Sequence, residues 1–184
     1  MELPKDKLPW DKYPNKDLRD YLGSQEVSSD TGYGTKTVDI DKKTGQPATG
    51  PNHTALGRYQ MRNRTLVDAG WKNSDGSWTD KAKDAGVTSD DEFLANPDVQ
   101  EKALTDVIDR NSMQLSSNGA DRYVGTTIKD SNGNDLAITS DGLQAASHRA
   151  GAPTVRRYLD SGERGILLPK TINAIETRLR LKRR

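Results

Sequence analysis

Among 184 residues there is no cysteine, one phenylalanine and only two histidines. Without cysteine there is no disulfide, no thiolate metal ligand and no thiol nucleophile, and nothing ties the fold to an oxidising or a reducing compartment. Hydrophobic residues make up 32% of the chain and the mean hydropathy is −0.90. No stretch approaches the ~18 apolar residues of a membrane helix, and the opening Met-Glu-Leu-Pro-Lys-Asp-Lys-Leu-Pro-Trp lacks the apolar run of a signal peptide. Net charge is scarce too. The 28 Lys and Arg face 27 Asp and Glu, so no overall field draws in nucleic acid or a membrane. What remains suits one domain with a thin core under a very polar surface.

Residues 1–14 hold three prolines and little periodicity, and read as an extended arm pinned to the body by Trp10 and Tyr13. The rest, residues 15–184, is expected to form the single domain. Asn15 is placed to cap a helix running to about Val27, with Leu18, Tyr21 and Leu22 on one face and Glu26 at its C-terminal end. Residues 35–41 alternate as a short strand, with Lys43-Thr44-Gly45 as its turn, which predicts a small β-hairpin lobe. A helix is expected over residues 58–69, stopped by Gly70. Trp71 and Trp78 flank an Asp75-Gly76 turn and suit core packing better than a sugar-stacking platform.

Ser89 and Glu92 form a capping box. Asn96-Pro97 then opens the longest helix, whose stripe of Val99, Ala103, Leu104, Val107 and Ile108 runs on towards Met113 and Leu115. Residues 128–138 read as a hairpin around Asn132-Gly133. Thr139 or Ser140 caps the next helix, Gly151 breaks it and Pro153 restarts it, with Val155, Tyr158 and Leu159 turned to the core. A last helix carries Ile172, Ile175 and Leu179 and ends in Lys182-Arg183-Arg184, a solvated tail or a contact for anionic polymers or lipids.

The most informative stretch is residues 54–61, Thr-Ala-Leu-Gly-Arg-Tyr-Gln-Met. Gly57 allows a turn and a close backbone approach, Tyr59 offers a flat amphipathic ring, and Gln60 an amide that both donates and accepts. That combination suits a sugar, and equally an ordinary loop-to-helix junction. Upstream, residues 17–29 (Asp-Leu-Arg-Asp-Tyr-Leu-Gly-Ser-Gln-Glu-Val-Ser-Ser) bring Glu26 to a helix end. A carboxylate at the negative end of a helix dipole is disfavoured as an anion, and a general acid must hold its proton at neutral pH. Downstream lies Gly-Leu-Gln-Ala-Ala-Ser-His-Arg-Ala-Gly-Ala-Pro-Thr-Val-Arg-Arg-Tyr-Leu, residues 142–159.

In this order the three stretches resemble the lysozyme-like superfamily that cleaves peptidoglycan, which includes lytic transglycosylases, goose-type lysozymes and phage endolysins. The family has a helix-ending Glu followed by a small residue, a Gly-x-x-Gln turn, and an Ala-Tyr-Asn-Ala-Gly-like turn followed by Val-x-Arg-Tyr. His148 and Arg149 stand where that last motif has Tyr and Asn. The resemblance implies a mainly α-helical, α+β lysozyme-like fold with the β-hairpin lobe beside a substrate cleft. It also implies cleavage of the β-1,4 bond between N-acetylmuramic acid and N-acetylglucosamine, with Glu26 as general acid.

Gly57, Tyr59, Gln60, His148 and Tyr158 are the implied substrate contacts, His148 being equally suited to a structural hydrogen bond. A transglycosylase needs Glu26 alone, whereas a muramidase needs a second carboxylate, for which Asp30, Asp39 and Asp41 are candidates. The last two otherwise serve as the polar face of a hairpin. No metal or other cofactor is assigned, because Asp39-x-Asp41 lacks the further ligands of a calcium loop. The expected partner is peptidoglycan glycan strands, reached without a visible signal peptide and so by another delivery route. An antibacterial toxin of this kind would also meet an immunity protein in its cleft. A non-catalytic peptidoglycan-binding module, or a structural part of a phage tail or secretion machine, is the alternative, and Glu26 together with the Gly57–Gln60 pattern speaks against it. Nucleic acid is not expected, since basic residues outside the tail alternate with acids.

Overall fold

The few apolar residues recur mostly three and four apart, and the chain folds accordingly. The computed structural model, which describes residues 8–27, 32–160 and 164–181, is an α+β protein, mainly helical, with a three-stranded and a two-stranded antiparallel sheet. Where one domain is expected, the contacts divide the chain into two compact units, Met1–Val107 and Ile108–Arg184. Among the described residues no helix is long and apolar enough to cross a membrane.

Among the described residues the first unit starts with a 3-10 turn, Pro9–Lys12, within the stretch expected to be an extended arm. Trp10 and Tyr13 do pin it: Trp10 is buried, and the Tyr13 hydroxyl donates to Asp98 Oδ1 at 2.5 Å. Helix α1 (Lys16–Glu26) buries Leu18, Arg19, Leu22 and Gly23. Asn15 precedes it in a left-handed conformation (φ 60°) and makes no side-chain cap, so only its carbonyl starts the helix, accepting from Arg19 N. Strand β1 (Lys36–Val38) pairs antiparallel with β2 (Thr54–Leu56), and β2 with β3 (Met61–Arg62). Beyond β1, Ile40 bridges to Pro47 around the turn at Lys43-Thr44-Gly45. Residues 58–62, expected to be helical, instead complete a tight β2–β3 hairpin, and α2 (Asn63–Asp68) starts only after it.

Two short helices follow, α3 (Asp80–Asp84) and α4 (Asp90–Leu94). The α4 cap is half the expected box: Ser89 Oγ accepts from Glu92 N at 3.1 Å, but Glu92 Oε2 turns to Thr88 N at 2.6 Å. Trp71 and Trp78 are both buried in this unit. Helix α5 (Pro97–Ser117) starts at the expected Asn96-Pro97, with Asn96 Oδ1 accepting from Val99 N. Its stripe is buried through Ile108 and again at Leu115, whereas Met113 points to solvent.

A charged group sits at the centre of the first unit. Glu101 on α5 is fully buried and accepts the hydroxyls of Tyr33 and Tyr59 at 2.6 Å each on Oε1, and Arg19 Nη1 at 2.7 Å on Oε2. Arg19, also fully buried, spends its other donors on Pro14 O (2.8 Å), Glu101 O (3.0 Å) and Thr105 Oγ1 (2.6 Å). Burial, and then the neighbouring Glu101 carboxylate, push both tyrosine hydroxyls far above their ordinary range, so they stay protonated as donors.

The second unit contains the hairpin of β4 (Thr127–Lys129) and β5 (Asp135–Ala137), with Gly133 at φ 82° in its turn. Three helices follow: α6 (Ser140–Ala150), capped by Thr139 Oγ1 on Gly142 N, then α7 (Ala152–Leu159) and α8 (Pro169–Leu179). Helix α6 packs on α7 and α8 around Leu136, Ile138, Leu143, Val155, Tyr158, Ile175 and Leu179.

Replacing Glu101 by Leu strands the Arg19 charge in the core and should cost about 3–5 kcal/mol. Tyr33→Phe removes a single hydrogen bond to a charged group and should cost about 1.5–3 kcal/mol. Urea unfolding of both variants checks this, and a Glu101→Leu loss no larger than that of Tyr33→Phe would disprove the central role of the network.

Candidate active site

The end of α1 is set by its own backbone. Val27 N still donates to Gly23 O at 3.1 Å, but Val27 itself is extended, so Glu26 is the last helical residue and stands half-buried. Residues 57–60 form the turn between β2 and β3. Gly57 (φ 74°) and Gln60 (φ 45°) both take left-handed conformations, the second an uncommon one for a residue with a side chain. Gln60 stabilises it by folding back: its N–H and its Nε2 both donate to Gly57 O, at 3.1 and 2.9 Å.

Two glycines let other groups approach. A Cβ on Gly57 would lie 1.9 Å from Gln100 Oε1. The fully buried Gln100 accepts Arg58 N at 3.0 Å and donates from Nε2 to Tyr33 O (3.0 Å) and Phe93 O (2.9 Å), so it ties the turn to α5 and to the segment before β1. A Cβ on Gly23 would lie 2.3 Å from Arg58 Cζ. The Arg58 guanidinium is thus held between α1 at Gly23 and the indole of Trp10, 3.6 Å from its centroid, with Asp20 Oδ1 at 3.6 Å from Nη2. Arginine suits this slot because its flat cation stacks on an aromatic face.

The expected site residues separate into groups. Glu26, Gly57 and Gln60 lie on two elements that Arg58 and Gly23 bring against each other. Tyr59, expected to face a sugar, is fully buried with its hydroxyl on Glu101, and so has no exposed ring face to offer. Tyr158, expected both to turn to the core and to line the substrate cleft, is fully buried in the second unit, as the first expectation has it, and donates to Glu176 Oε1 at 2.8 Å. The same Glu176 accepts Ser131 N at 2.7 Å. His148, half-buried, occupies the last turn of α6. Asp30 lies outside the described residues.

Asp39 and Asp41 follow β1 rather than sharing a strand face. Arg62 grips Asp39 with both terminal nitrogens, at 2.8 and 2.9 Å, and His53 Nδ1 stands 3.6 Å away. The Arg62 hydrogen bond holds the Asp39 carboxyl below its ordinary value. Asp41 Oδ1 accepts Lys43 N at 2.7 Å and shapes the turn there. Among the described residues no group of three or more His, Asp and Glu could hold a metal ion.

Sequence reasoning passed over Arg58, Gln100 and Glu101. The signal was available for the last two: polar residues at positions 100 and 101 interrupt the apolar stripe of α5 between Val99 and Ala103.

A depressed folded-state pKa means that the Asp39–Arg62 pair adds stability above the ordinary carboxylate range and loses it as pH falls through the depressed value. Carboxyl-carbon NMR titration should find the Asp39 midpoint below that of an ordinary aspartate. In Arg62→Ala the midpoint should move up; an unchanged one would remove Arg62 as the cause.

Compared with family models, curated proteins and solved structures, the chain finds no match in any of the three.

Proposed function

We propose that the protein cleaves the β-1,4 bond between N-acetylmuramic acid and N-acetylglucosamine in peptidoglycan, with Glu26 as general acid. The observation that carries this reading is the contact of Gly23 with the Arg58 guanidinium. Glu26 lies three residues beyond Gly23, one turn along the same helix face. Arg58 lies two residues before Gln60. The helix that ends in Glu26 therefore packs, one turn earlier, on the turn that carries Gln60, which supports pairing a proton donor with a polar contact as glycoside cleavage requires.

Glu26 protonates the glycosidic oxygen as the muramic sugar carbon becomes oxocarbenium-like and the bond to that oxygen breaks. In the one-carboxylate route the same group, now ionised, takes the proton of the muramic 6-hydroxyl while that oxygen closes a 1,6-anhydro ring. In the hydrolytic route a second carboxylate activates water or attacks the sugar. The first route agrees better with the two described candidates: Asp39 is occupied by Arg62, and Asp41 by its own turn. Tyr59 supports the turn from below through Glu101.

Incubation of wild type and Glu26→Gln with purified peptidoglycan, with mass spectrometry of the released muropeptides, is the test. Anhydro products, one water lighter than hydrolytic ones, are expected from wild type, and the variant should lose about 10²–10⁴-fold in rate. Full-mass reducing ends would establish the two-carboxylate route instead. No release by wild type that still sediments with peptidoglycan would sink catalysis and leave a binding module.

A further inference from the structure

The chain is almost neutral, yet its two units are not. Residues 108–184 hold 13 Lys and Arg against 8 Asp and Glu, a formal +5, and residues 1–107 hold 15 against 19, a formal −4. Charge asymmetry of this kind points to an anionic partner for the basic part. Three of those thirteen cations are the tail residues 182–184; within the rest of the unit one surface joins two others, Arg149 and Lys170, to exposed apolar groups. The 3-10 turn Arg164–Ile166 leads to Leu167, which is partly buried against the unit's core, and Ile166 and Leu168 on either side of it are 69% and 61% exposed. They line a groove of about 530 Å³ together with Ala150, Ala174, Thr154 and Thr171. Arg149, in the last turn of α6, and Lys170, in the first turn of α8, stand at its edge, both exposed. No acid is among the groove's described lining residues.

We infer that this surface docks on an anionic phospholipid bilayer. Leu167 anchors the loop, so Ile166 and Leu168 are presented rather than free to fold away, and two such side chains reach the headgroup–acyl boundary together. Arg149 and Lys170 flank them where lipid phosphates would lie, and basic residues close to an anionic leaflet each add to binding. The leucines, Ile166 and the two alanines of the groove would meet the upper part of an acyl chain, and Thr154 and Thr171 the headgroup. An acidic polypeptide is the other occupant that such chemistry admits; protruding apolar side chains between cations favour the bilayer, which deforms around them where a folded partner would need a matching hollow. This surface is separate from the glycan-cleaving reading and does not depend on it.

The test is sedimentation of the full-length chain with vesicles of phosphatidylcholine alone and of phosphatidylcholine mixed with phosphatidylglycerol, in the Glu26→Gln background so that glycan cleavage plays no part. Binding is expected only to the mixed vesicles. It should fall at least about tenfold in Ile166→Ser with Leu168→Ser, and about fivefold for each of Arg149→Ser and Lys170→Ser. Thermal melts should stay unchanged, because all four side chains are exposed. Failure to bind mixed vesicles would overturn the inference. So would binding that survives these substitutions and disappears when residues 182–184 are removed, since the basic tail would then be its source.

Discussion

A carboxylate with no access to water governs the first unit. Glu101 must be satisfied where it stands, and the groups that satisfy it come from α1 (Arg19), from the segment before β1 (Tyr33) and from the β2–β3 turn (Tyr59). A buried ion pair is a poor source of net stability, since desolvation offsets much of its attraction, but it penalises arrangements that leave a charge alone. Three elements distant in sequence are therefore held at one position on α5. The neighbouring Gln100 adds a second tie to the same turn and so leaves it little freedom.

On that frame Arg58 stacks on Trp10 and fills the space beside Gly23. The contact packs α1 at Gly23, three residues before the helix ends at Glu26, against Arg58 of the β2–β3 turn. Glycine is required at 23 and 57 for different reasons. At 23 it gives space for a flat cation, and at 57 it gives both space for Gln100 and a left-handed backbone. The motif residues thus share the work of holding the turn: Gly57 gives the close approach, Tyr59 ties it to Glu101, and Gln60 folds back onto Gly57 O.

The second unit repeats the device in a different fold. Tyr158 on α7 donates to buried Glu176 on α8, which also takes the backbone and hydroxyl of Ser131 in the β4–β5 turn. Asp130 in that turn, itself buried, accepts the N–H groups of Asn132 and Asn134 and pairs with Arg180. In both units an apparent surface acid proves to be the point where a helix, a turn and a tyrosine meet.

Local signals were legible because their causes are local. Asn96-Pro97 opened α5, Thr139 capped α6, Gly151 ended it, and Asn132-Gly133 marked a hairpin, each through backbone preferences of a few adjacent residues. The β2–β3 hairpin escaped because strands of three and two residues leave no periodicity, and Arg58-Tyr59-Gln60 resembled a helix start. Met113 looked like Leu115 in the stripe until packing exposed one and buried the other. The sequence by itself determined the helical character, most helix ends and the presence of a helix-terminal Glu26. Only tertiary structure decided that Tyr59 faces inward, that Tyr158 has a buried carboxylate as its partner, and that Glu101 is an internal charge. Their partners lie 18 to 82 residues away, and whether a polar side chain is buried depends on partners that no local pattern names.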